Sequence, residues 1–161
     1  ITALSLSRFK GMKRRLELAG IRGGVGFFDD YAHNPKKIQA SILALRDAFP
    51  RLIMLLQCHG YQPTSFMWDE LVDTFATTCR KGDLVIIPPI YDAGGTATRA
   101  ASAVRLAEAL TAKGVNGLYF PCREKAGEFI RKVIVPGDSV LVMGARDETL
   151  SKFVRELKDN M

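Results

Sequence analysis

Short apolar runs alternate with segments of helical period along this chain. The runs lie at positions 25–28, 52–56, 84–87, 118–120 and 140–143. Several are continuous rather than alternating, which is typical of strands that are covered on both faces. Strands that alternate repeatedly with helices predict an α/β fold, here a Rossmann-like, mostly parallel sheet with helices on both faces.

Five helices are predicted from apolar residues that recur at spacings of three and four. Asn34 is suited to cap the first helix, and Pro35 to occupy its first position, where no N–H donor is needed. Ser102 is predicted to begin the third helix and Gly114 to follow its end. The apolar positions of the other faces are Ile38, Ile42, Leu45 and Phe49; Met67, Leu71, Val72 and Phe75; Ala126, Phe129, Ile130 and Val133; and Leu150, Phe153, Val154 and Leu157.

Length and composition fit one globular domain over residues 1–161, with 47% apolar and 25% charged residues. No apolar run approaches the roughly 18 residues of a membrane span, so no membrane partner is expected. The basic residues follow a weakly apolar start, which is the wrong order for a secretory signal. Because the chain starts at Ile1 rather than Met, we expect a fragment of a longer protein, with residues 1–20 as a lead-in from a preceding domain.

The net charge of +6 favours anionic partners such as nucleotides or phosphorylated substrates, although an ordinary soluble surface also accounts for it. The basic residues are dense only at positions 10–15 and lack the interleaved aromatic residues of a single-strand binder. No nucleic-acid partner is therefore expected.

Three cysteines, Cys58, Cys79 and Cys122, cannot all pair with one another and form no CxxC motif. We interpret each as a small buried hydrophobic residue of a reduced, cytoplasmic protein.

Polar clusters follow four of the predicted strands. They read DDYAHNP at 29–35, QCHGYQPT at 57–64, PPIYDAGGTATR at 88–99 and MGARDET at 143–149. Open α/β sheets bind ligands beyond the carboxyl ends of their strands. The four clusters together therefore predict a binding site at that edge of the sheet.

The residues by themselves leave the role of each cluster open. A carboxylate at 29–30 can hold a ribose, with Tyr31 or His33 against a purine, or the two acids can satisfy turn N–H groups while the rings cover the core. Arg146 and Thr149, before a helix, can hold a carboxylate or phosphate, or form an ordinary turn and cap.

Several common sequence motifs of nucleotide binding and catalysis are absent from the sequence. It contains no GxxxxGK[ST] phosphate loop, no GxGxxG after a strand and no GxSxG nucleophile motif. His33 and His59 are the only histidines and have no acidic or cysteine partner at zinc spacing, so no metal site is expected in this chain.

Two segments, FKGMKRRLELAG and GVGFFDDYAHNPKKIQASILALR, resemble the opening of the C-terminal domain of the Mur ligases. These are the ATP-dependent amide ligases of peptidoglycan precursor synthesis. The resemblance is greatest to the branch that joins L-alanine to UDP-N-acetylmuramate. It continues more weakly through 57–64, 90–94 and 144–150, and so covers essentially the whole chain.

The resemblance implies a function for the chain as the third domain of such a ligase. The ATP would lie mainly on a preceding central domain that carries the phosphate loop and most of the Mg²⁺ ligands. The ligase would convert a UDP-N-acetylmuramate-type carboxylate into an acyl phosphate, which an amino acid attacks. The partners would be the UDP-sugar, the amino acid and the upstream domains, and the isolated domain would be inactive. A murein-peptide-recycling ligase, another amino-acid ligase or a non-catalytic nucleotide-binding module remain alternatives.

The resemblance also implies roles for individual residues. Arg15 would be catalytic and reach the phosphates, whereas the role of Arg14 is open. The implied ATP contacts are Asp30 on the ribose and Tyr31, His33 and Asn34 beside the adenine. The implied substrate contacts are His59, Tyr61, Arg146 and Thr149.

One segment departs from the family pattern. Gly60 and Pro63 stand where the alanine-adding branch has arginines that help to hold substrate. Charge-assisted hydrogen bonds contribute roughly 1.5–3 kcal/mol each, so their loss weakens carboxylate recognition. Either Arg99 or Arg146 compensates from another loop, or the amine substrate differs.

Overall fold

The computed structural model describes residues 11–92 and 101–161, which form six strands and six helices. The strands are β1 (Glu17–Arg22), β2 (Val25–Asp30), β3 (Arg51–Gln57), β4 (Leu84–Ile87), β5 (Gly117–Tyr119) and β6 (Asp138–Gly144). The helices are α1 (Pro35–Arg46), α2 (Tyr61–Phe66), α3 (Trp68–Thr78), α4 (Ala103–Ala112), α5 (Arg123–Val133) and α6 (Thr149–Asp159).

The six strands form one sheet in the order β1-β2-β6-β3-β4-β5. All neighbours pair in parallel except β1, which is antiparallel to β2. The predicted α/β fold with a mostly parallel sheet is therefore confirmed. None of the helices in the described part of the chain is both long and apolar enough to cross a membrane.

Successive side chains of each strand enter two separate cores, one on each face of the sheet. In β2, Phe28 packs with α1, α3 and α4, whereas Val25 and Phe27 pack with α5 and α6. All residues of β2 and β6 are buried, as expected for strands between two helical layers. The continuous apolar runs in the sequence thus correspond to strands whose side chains are buried on both faces of the sheet.

Strand β1 is an element that the apolar pattern did not predict. It pairs with β2 through the turn Gly23-Gly24, where both residues have positive φ (58° and 77°). Such angles at both central positions fit the two-residue hairpin turns that join antiparallel strands, and glycine adopts them without strain. β1 lies at the edge of the sheet and is partly exposed, so it lacks a strong hydrophobic signal.

The predicted helix starts are confirmed where a side chain makes the cap. Asn34 Oδ1 accepts a hydrogen bond from the Lys37 N–H at 3.0 Å, and Pro35 is the first residue of α1. Ser102 caps α4 in the same way. Helix α1 ends at Arg46, so Phe49 lies beyond it, although it still packs against the core. The short helix α2 was not predicted.

Two of the cysteines agree with the interpretation as hydrophobic residues. Cys58 is buried in the core, and burial raises the pKa of its thiol to about 12. Burial, with a smaller contribution from the negative charge of Asp83, raises the pKa of the half-buried Cys79 to about 12 as well. Both thiols are therefore uncharged at neutral pH, as side chains in an apolar core must be.

A buried ion pair joins α1 to the start of β4. The Arg46 guanidinium contacts both oxygens of Asp83, at 3.2 and 2.6 Å, and both side chains are almost fully buried. The Asp83 carboxylate also accepts hydrogen bonds from the N–H groups of Leu52 and Arg80, at 2.8 and 2.7 Å. One carboxylate thus organises the amino ends of two strands.

We expect the substitution Asp83→Ala to destabilise the fold by about 3–5 kcal/mol, because it leaves the Arg46 charge buried and unpaired. The matched control is Asp73→Ala, which breaks the exposed pair of Asp73 with Lys113 and should cost about 0–1 kcal/mol. Urea unfolding of the two variants measures the difference. Equal losses would contradict the central role of Asp83.

Candidate functional site

The carboxyl ends of three strands meet because β6 lies between β2 and β3. Asp30 is paired with Met143, and Gln57 is paired with Gly144. The loops that follow β2, β3 and β6 therefore leave the sheet side by side. Three of the four predicted polar clusters are brought together in this way, while residues 93–99 of the fourth lie outside the described residues.

Arg15 and Tyr31 lie at the mouth of a cleft beside this edge. The cleft has a volume of about 610 Å³, and its other lining residues are Lys13, Arg14, Glu17, Glu148, Ser151 and Arg155. The Arg15 guanidinium is 5.9 Å from the centre of the Tyr31 ring, which is within reach of a cation–π contact. The side chain of Arg15 is exposed, and its guanidinium makes no hydrogen bond or ion pair with the described residues. Its charge is available to an anion.

The two acids of the DDYAHNP segment are buried and bound within the fold. Asp29 Oδ1 is 3.4 Å from Arg14 Nε, and Asp29 Oδ2 accepts a hydrogen bond from Ser151. Asp30 Oδ1 accepts a hydrogen bond from the Ala32 N–H at 3.1 Å. Asp30 Oδ2 accepts another from Ser41, and only 5% of the residue is exposed. The two carboxylates thus serve the fold first, and a ligand would reach only the remaining lone pairs of Asp30.

Two histidines from different loops lie ring against ring. The centres of His33 and His59 are 5.5 Å apart, and His33 also has an edge contact with Tyr31. His33 Nδ1 is 2.8 Å from the Tyr31 carbonyl oxygen, which holds the ring in place. Burial lowers the pKa of His59, and the nearby His33 and Arg146 lower it further. His59 is therefore mainly neutral at pH 7.

Arg146 lies on the loop after β6, close enough for its charge to act on His59. It is exposed, and its φ of 63° is in the left-handed region, which is uncommon for a residue with a side chain. Its guanidinium has no hydrogen bond or ion pair with the described residues. The structure thus brings Arg146 to His33 and His59, as the sequence predicted for one edge of the sheet.

Asn34 and Thr149 already have partners within the fold. Asn34 caps α1. The Thr149 N–H donates to Asp147 Oδ1 at 3.0 Å, and its hydroxyl accepts from Arg123 at 2.9 Å. Tyr61 begins α2 and packs partly against the core. These three residues lie near the edge, but they offer fewer free groups than Arg15 or Arg146.

The backbone at Gly60 bears on the departure from the family pattern. Its φ of 70° and ψ of 133° form a combination that residues with a side chain rarely adopt, and a Cβ there would lie 3.2 Å from the ring of Pro63. An arginine at this position would therefore need a different loop. The loop thus differs from the family pattern in two ways: it has no arginine at Gly60 or Pro63, and its backbone at Gly60 has a conformation that suits glycine.

The donor groups of the edge suit an anion better than a metal ion. Among residues 11–92 and 101–161, no three acidic, histidine or cysteine side chains lie together as metal ligands. The nearest carboxylates, Asp29 and Asp30, are engaged with their own neighbours. An exposed guanidinium and an aromatic ring are groups that can bind a phosphate and stack on a base.

Comparison with known proteins assigns the chain to a family. The sequence pattern of the family described as Mur ligase, glutamate ligase domain, matches residues 14–146. The chain belongs to the Mur ligase family. A curated relative, the UDP-N-acetylmuramate–L-alanine ligase of Acetivibrio thermocellus, is 37% identical over 143 residues, which are 88% of this chain and 30% of that protein. The resemblance inferred from the motifs is confirmed.

Solved structures of Mur ligases share the fold of this domain. The UDP-N-acetylmuramate–alanine ligase of Thermotoga maritima has a TM-score of 0.73 at 17% identity, covering 98% of this chain and 32% of that chain. The MurF ligase of Thermotoga maritima, solved in complex with ADP, has a TM-score of 0.62 at 19% identity, covering 98% and 34%. This Mur ligase domain thus spans about a third of the length of its relatives.

Some residues that shape the site were not predicted from the sequence. Ser151 holds Asp29, and Arg123 pairs with Asp147 at 3.0 Å and so fixes the loop before α6. Arg14, whose role the sequence left open, contacts both Asp29 and the Gly144 carbonyl. These contacts join residues far apart in the chain, so no local motif signals them.

The lowered pKa of His59 predicts a pH-dependent stability. The unfolded chain takes up the His59 proton near the ordinary pKa of 6.5, whereas the folded chain resists it. Titration of His59 therefore costs no stability well above pH 6.5, and this cost grows as the pH falls through 6.5 towards the lower pKa of the folded chain. When the pH is lowered from 8 to 5.5, the midpoint of thermal unfolding should fall less for His59→Gln than for the wild type. For Arg146→Gln the fall should be intermediate, because only part of the pKa shift of His59 comes from Arg146. Parallel curves for wild type and His59→Gln would contradict the assignment.

Proposed function

We propose that this Mur ligase domain is the C-terminal domain of an ATP-dependent amide ligase of peptidoglycan precursor synthesis. The ligase joins an amino acid to a UDP-N-acetylmuramate-type carboxylate through an acyl phosphate. The name of the Acetivibrio thermocellus relative supports the acyl substrate, and the ADP complex of the Thermotoga maritima MurF ligase supports the nucleotide. The observation that carries the proposal is the exposed Arg15 guanidinium at the cleft, which has no hydrogen bond or ion pair within residues 11–92 and 101–161.

Arg15 is suited to the central requirement of phosphoryl transfer, which is neutralisation of the charge on the transferring group. Its charge does not depend on pH in the physiological range, and its planar donors match phosphate oxygens. We assign Arg15 the role of reaching the phosphates of ATP held on a preceding central domain. Most of the Mg²⁺ ligands are assigned to that domain as well, together with the phosphates of ATP.

The other residues of the edge are assigned by position. Tyr31 and His33 lie beside the cleft and present ring faces or edges to the adenine, next to Asn34. Asp30 contributes its remaining lone pairs to the ribose. The assigned substrate contacts follow β3 and β6, and they are His59, Tyr61, Arg146 and Thr149.

The amine substrate is assigned as an amino acid, with L-alanine first among the candidates because of the relatives. The loop after β3 has Gly60 in place of an arginine, and Arg146 is an exposed cation close enough to lower the pKa of His59. A peptide amine, as in murein-peptide recycling, is the alternative, because Gly60 and Pro63 stand where the alanine-adding branch has arginines. A panel of amino acids and short peptides separates the two.

We expect Arg15→Ala in the full-length protein to lower kcat by on the order of 10³-fold, the range found when an arginine is removed from a phosphoryl-transfer site. Arg15→Lys should retain part of the rate, because it keeps the charge but loses the two-point contact. The measurement is phosphate release from ATP with UDP-N-acetylmuramate and the amine panel.

The matched control is Arg131→Ala, which removes an exposed arginine from α5, on one helical face of the sheet. It should change kcat less than twofold, within the range of ordinary surface substitutions. Full activity of Arg15→Ala would refute its assignment. Absence of turnover by the wild type with every amine would favour a non-catalytic nucleotide-binding module.

Residues 1–161 alone should show no ATP turnover, because the chain contains no phosphate loop. Mixing the purified domain with ATP, UDP-N-acetylmuramate and L-alanine, and measuring phosphate release, checks this. Release above the level of a sample without the acyl substrate would contradict the proposed division of labour between domains.

A further inference from the structure

Two neighbouring arginines at the cleft have opposite surroundings. Arg15 is exposed and unpaired among the described residues, whereas the side chain of Arg14 is only 13% exposed. The Arg14 guanidinium donates from Nη2 to the Gly144 carbonyl at 2.7 Å and lies 3.4 Å from Asp29 through Nε. It therefore ties the segment before β1 to the ends of both β2 and β6.

The backbone of Arg14 is held as firmly as its side chain. Its N–H donates to Glu17 Oε2 at 2.8 Å, and its carbonyl accepts from the Tyr31 N–H at 2.8 Å. Arg14 and Leu16 have φ of 53° and 48°, in the left-handed region. Such conformations persist where surrounding contacts impose them, and they cluster at functional sites. Between these two residues, the chain turns Arg15 out to the cleft.

The ring of Tyr31 lies near both guanidinium groups. Arg14 Cζ is 5.0 Å from the ring centre and Arg15 Cζ is 5.9 Å from it. A cation near the face of an aromatic ring attracts it. The Tyr31 N–H also donates a hydrogen bond to the Arg14 carbonyl, so a displacement of Arg14 moves both Tyr31 and Arg15.

We propose that Arg14 is a positioning residue, which holds Arg15 and Tyr31 at the cleft by anchoring their turn to Asp29 and the Gly144 carbonyl. Arg14 also lines the cleft, and its proposed role is to anchor the turn rather than to bind ATP or the substrate. This inference rests on the function proposed above for Arg15. It predicts that Arg14 acts through its neighbour, so that its effect disappears when Arg15 is already impaired.

A double-mutant cycle in the full-length protein tests the coupling. Arg14→Lys keeps the charge but cannot reach the Asp29 carboxylate and the Gly144 carbonyl together. With Arg15 intact, it should lower kcat about 10–100-fold, the scale of a misplaced catalytic group, and leave the KM for the amine substrate unchanged. In the Arg15→Lys background, the same change should lower kcat less than about threefold.

Three results would overturn the proposal. Equal losses in both backgrounds would show that Arg14 only stabilises the fold, and no loss with Arg15 intact would show that it positions nothing. Full activity of Arg15→Lys and Arg15→Ala would instead refute the role of Arg15, and the proposal with it. The single variants at Arg15 thus separate failure of the function from failure of the inference.

The matched control is Arg51→Lys. Arg51 makes the same kinds of contact at the opposite end of the sheet, with Asp138 at 3.3 Å and the Gly82 carbonyl at 3.0 Å. It should lower the unfolding midpoint about as much as Arg14→Lys and leave kcat within twofold. A drop in kcat equal to that of Arg14→Lys would assign both effects to stability.

Asp29→Asn keeps the test decisive if Arg14→Lys fails to fold. It retains the size of the side chain and an acceptor oxygen but removes the negative charge that faces Arg14. The expected loss in kcat is smaller than for Arg14→Lys and again depends on an intact Arg15. An equal loss in the Arg15→Lys background would overturn the proposal here too.

Discussion

The position of β6 between β2 and β3 is the constraint on which the site depends. β6 is the last strand of the chain, all seven of its residues are buried, and it pairs along its length with both neighbours. If the strands followed sequence order, the Gly144 carbonyl would lie away from β2 and Arg14 would lose that partner. The same insertion carries α6 to Asp29, which Ser151 contacts. The polar groups of the edge therefore come into register only after the C-terminal part of the chain has docked.

Much of the architecture was predictable because it rests on short-range chemistry. Burial on both faces leaves continuous apolar runs, and side-chain caps such as Asn34 and Ser102 act on N–H groups three residues away. The meeting of the polar clusters was predictable for a related reason: parallel strands all point their carboxyl ends to one edge of the sheet. These inferences need the type of each element and no knowledge of strand order.

The remaining features depend on contacts between distant residues. Arg14 and Gly144 are 130 positions apart, and Asp29 and Ser151 are 122 apart. No periodicity reports such pairs. β1 escaped prediction for another reason: it lies at an exposed edge, held by a glycine turn and hydrogen bonds more than by apolar burial. The exposure of Arg15 and the burial of Arg14 are likewise invisible in a sequence where the two residues stand side by side.

In the dense polar segment at 29–35, residues that stabilise the fold lie beside residues that remain accessible at the cleft. Both of its carboxylates are bound within the fold. Asp29 contacts Arg14 and Ser151, and Asp30 accepts hydrogen bonds from Ser41 and a backbone N–H. Burying a carboxylate costs several kcal/mol unless it is bonded, so these partners are a condition of folding. With both aspartates buried, the charged side chains that line the cleft are the cations Lys13, Arg14, Arg15 and Arg155 and the acids Glu17 and Glu148. Cations therefore outnumber acids at this cleft, which favours the anionic partners proposed above.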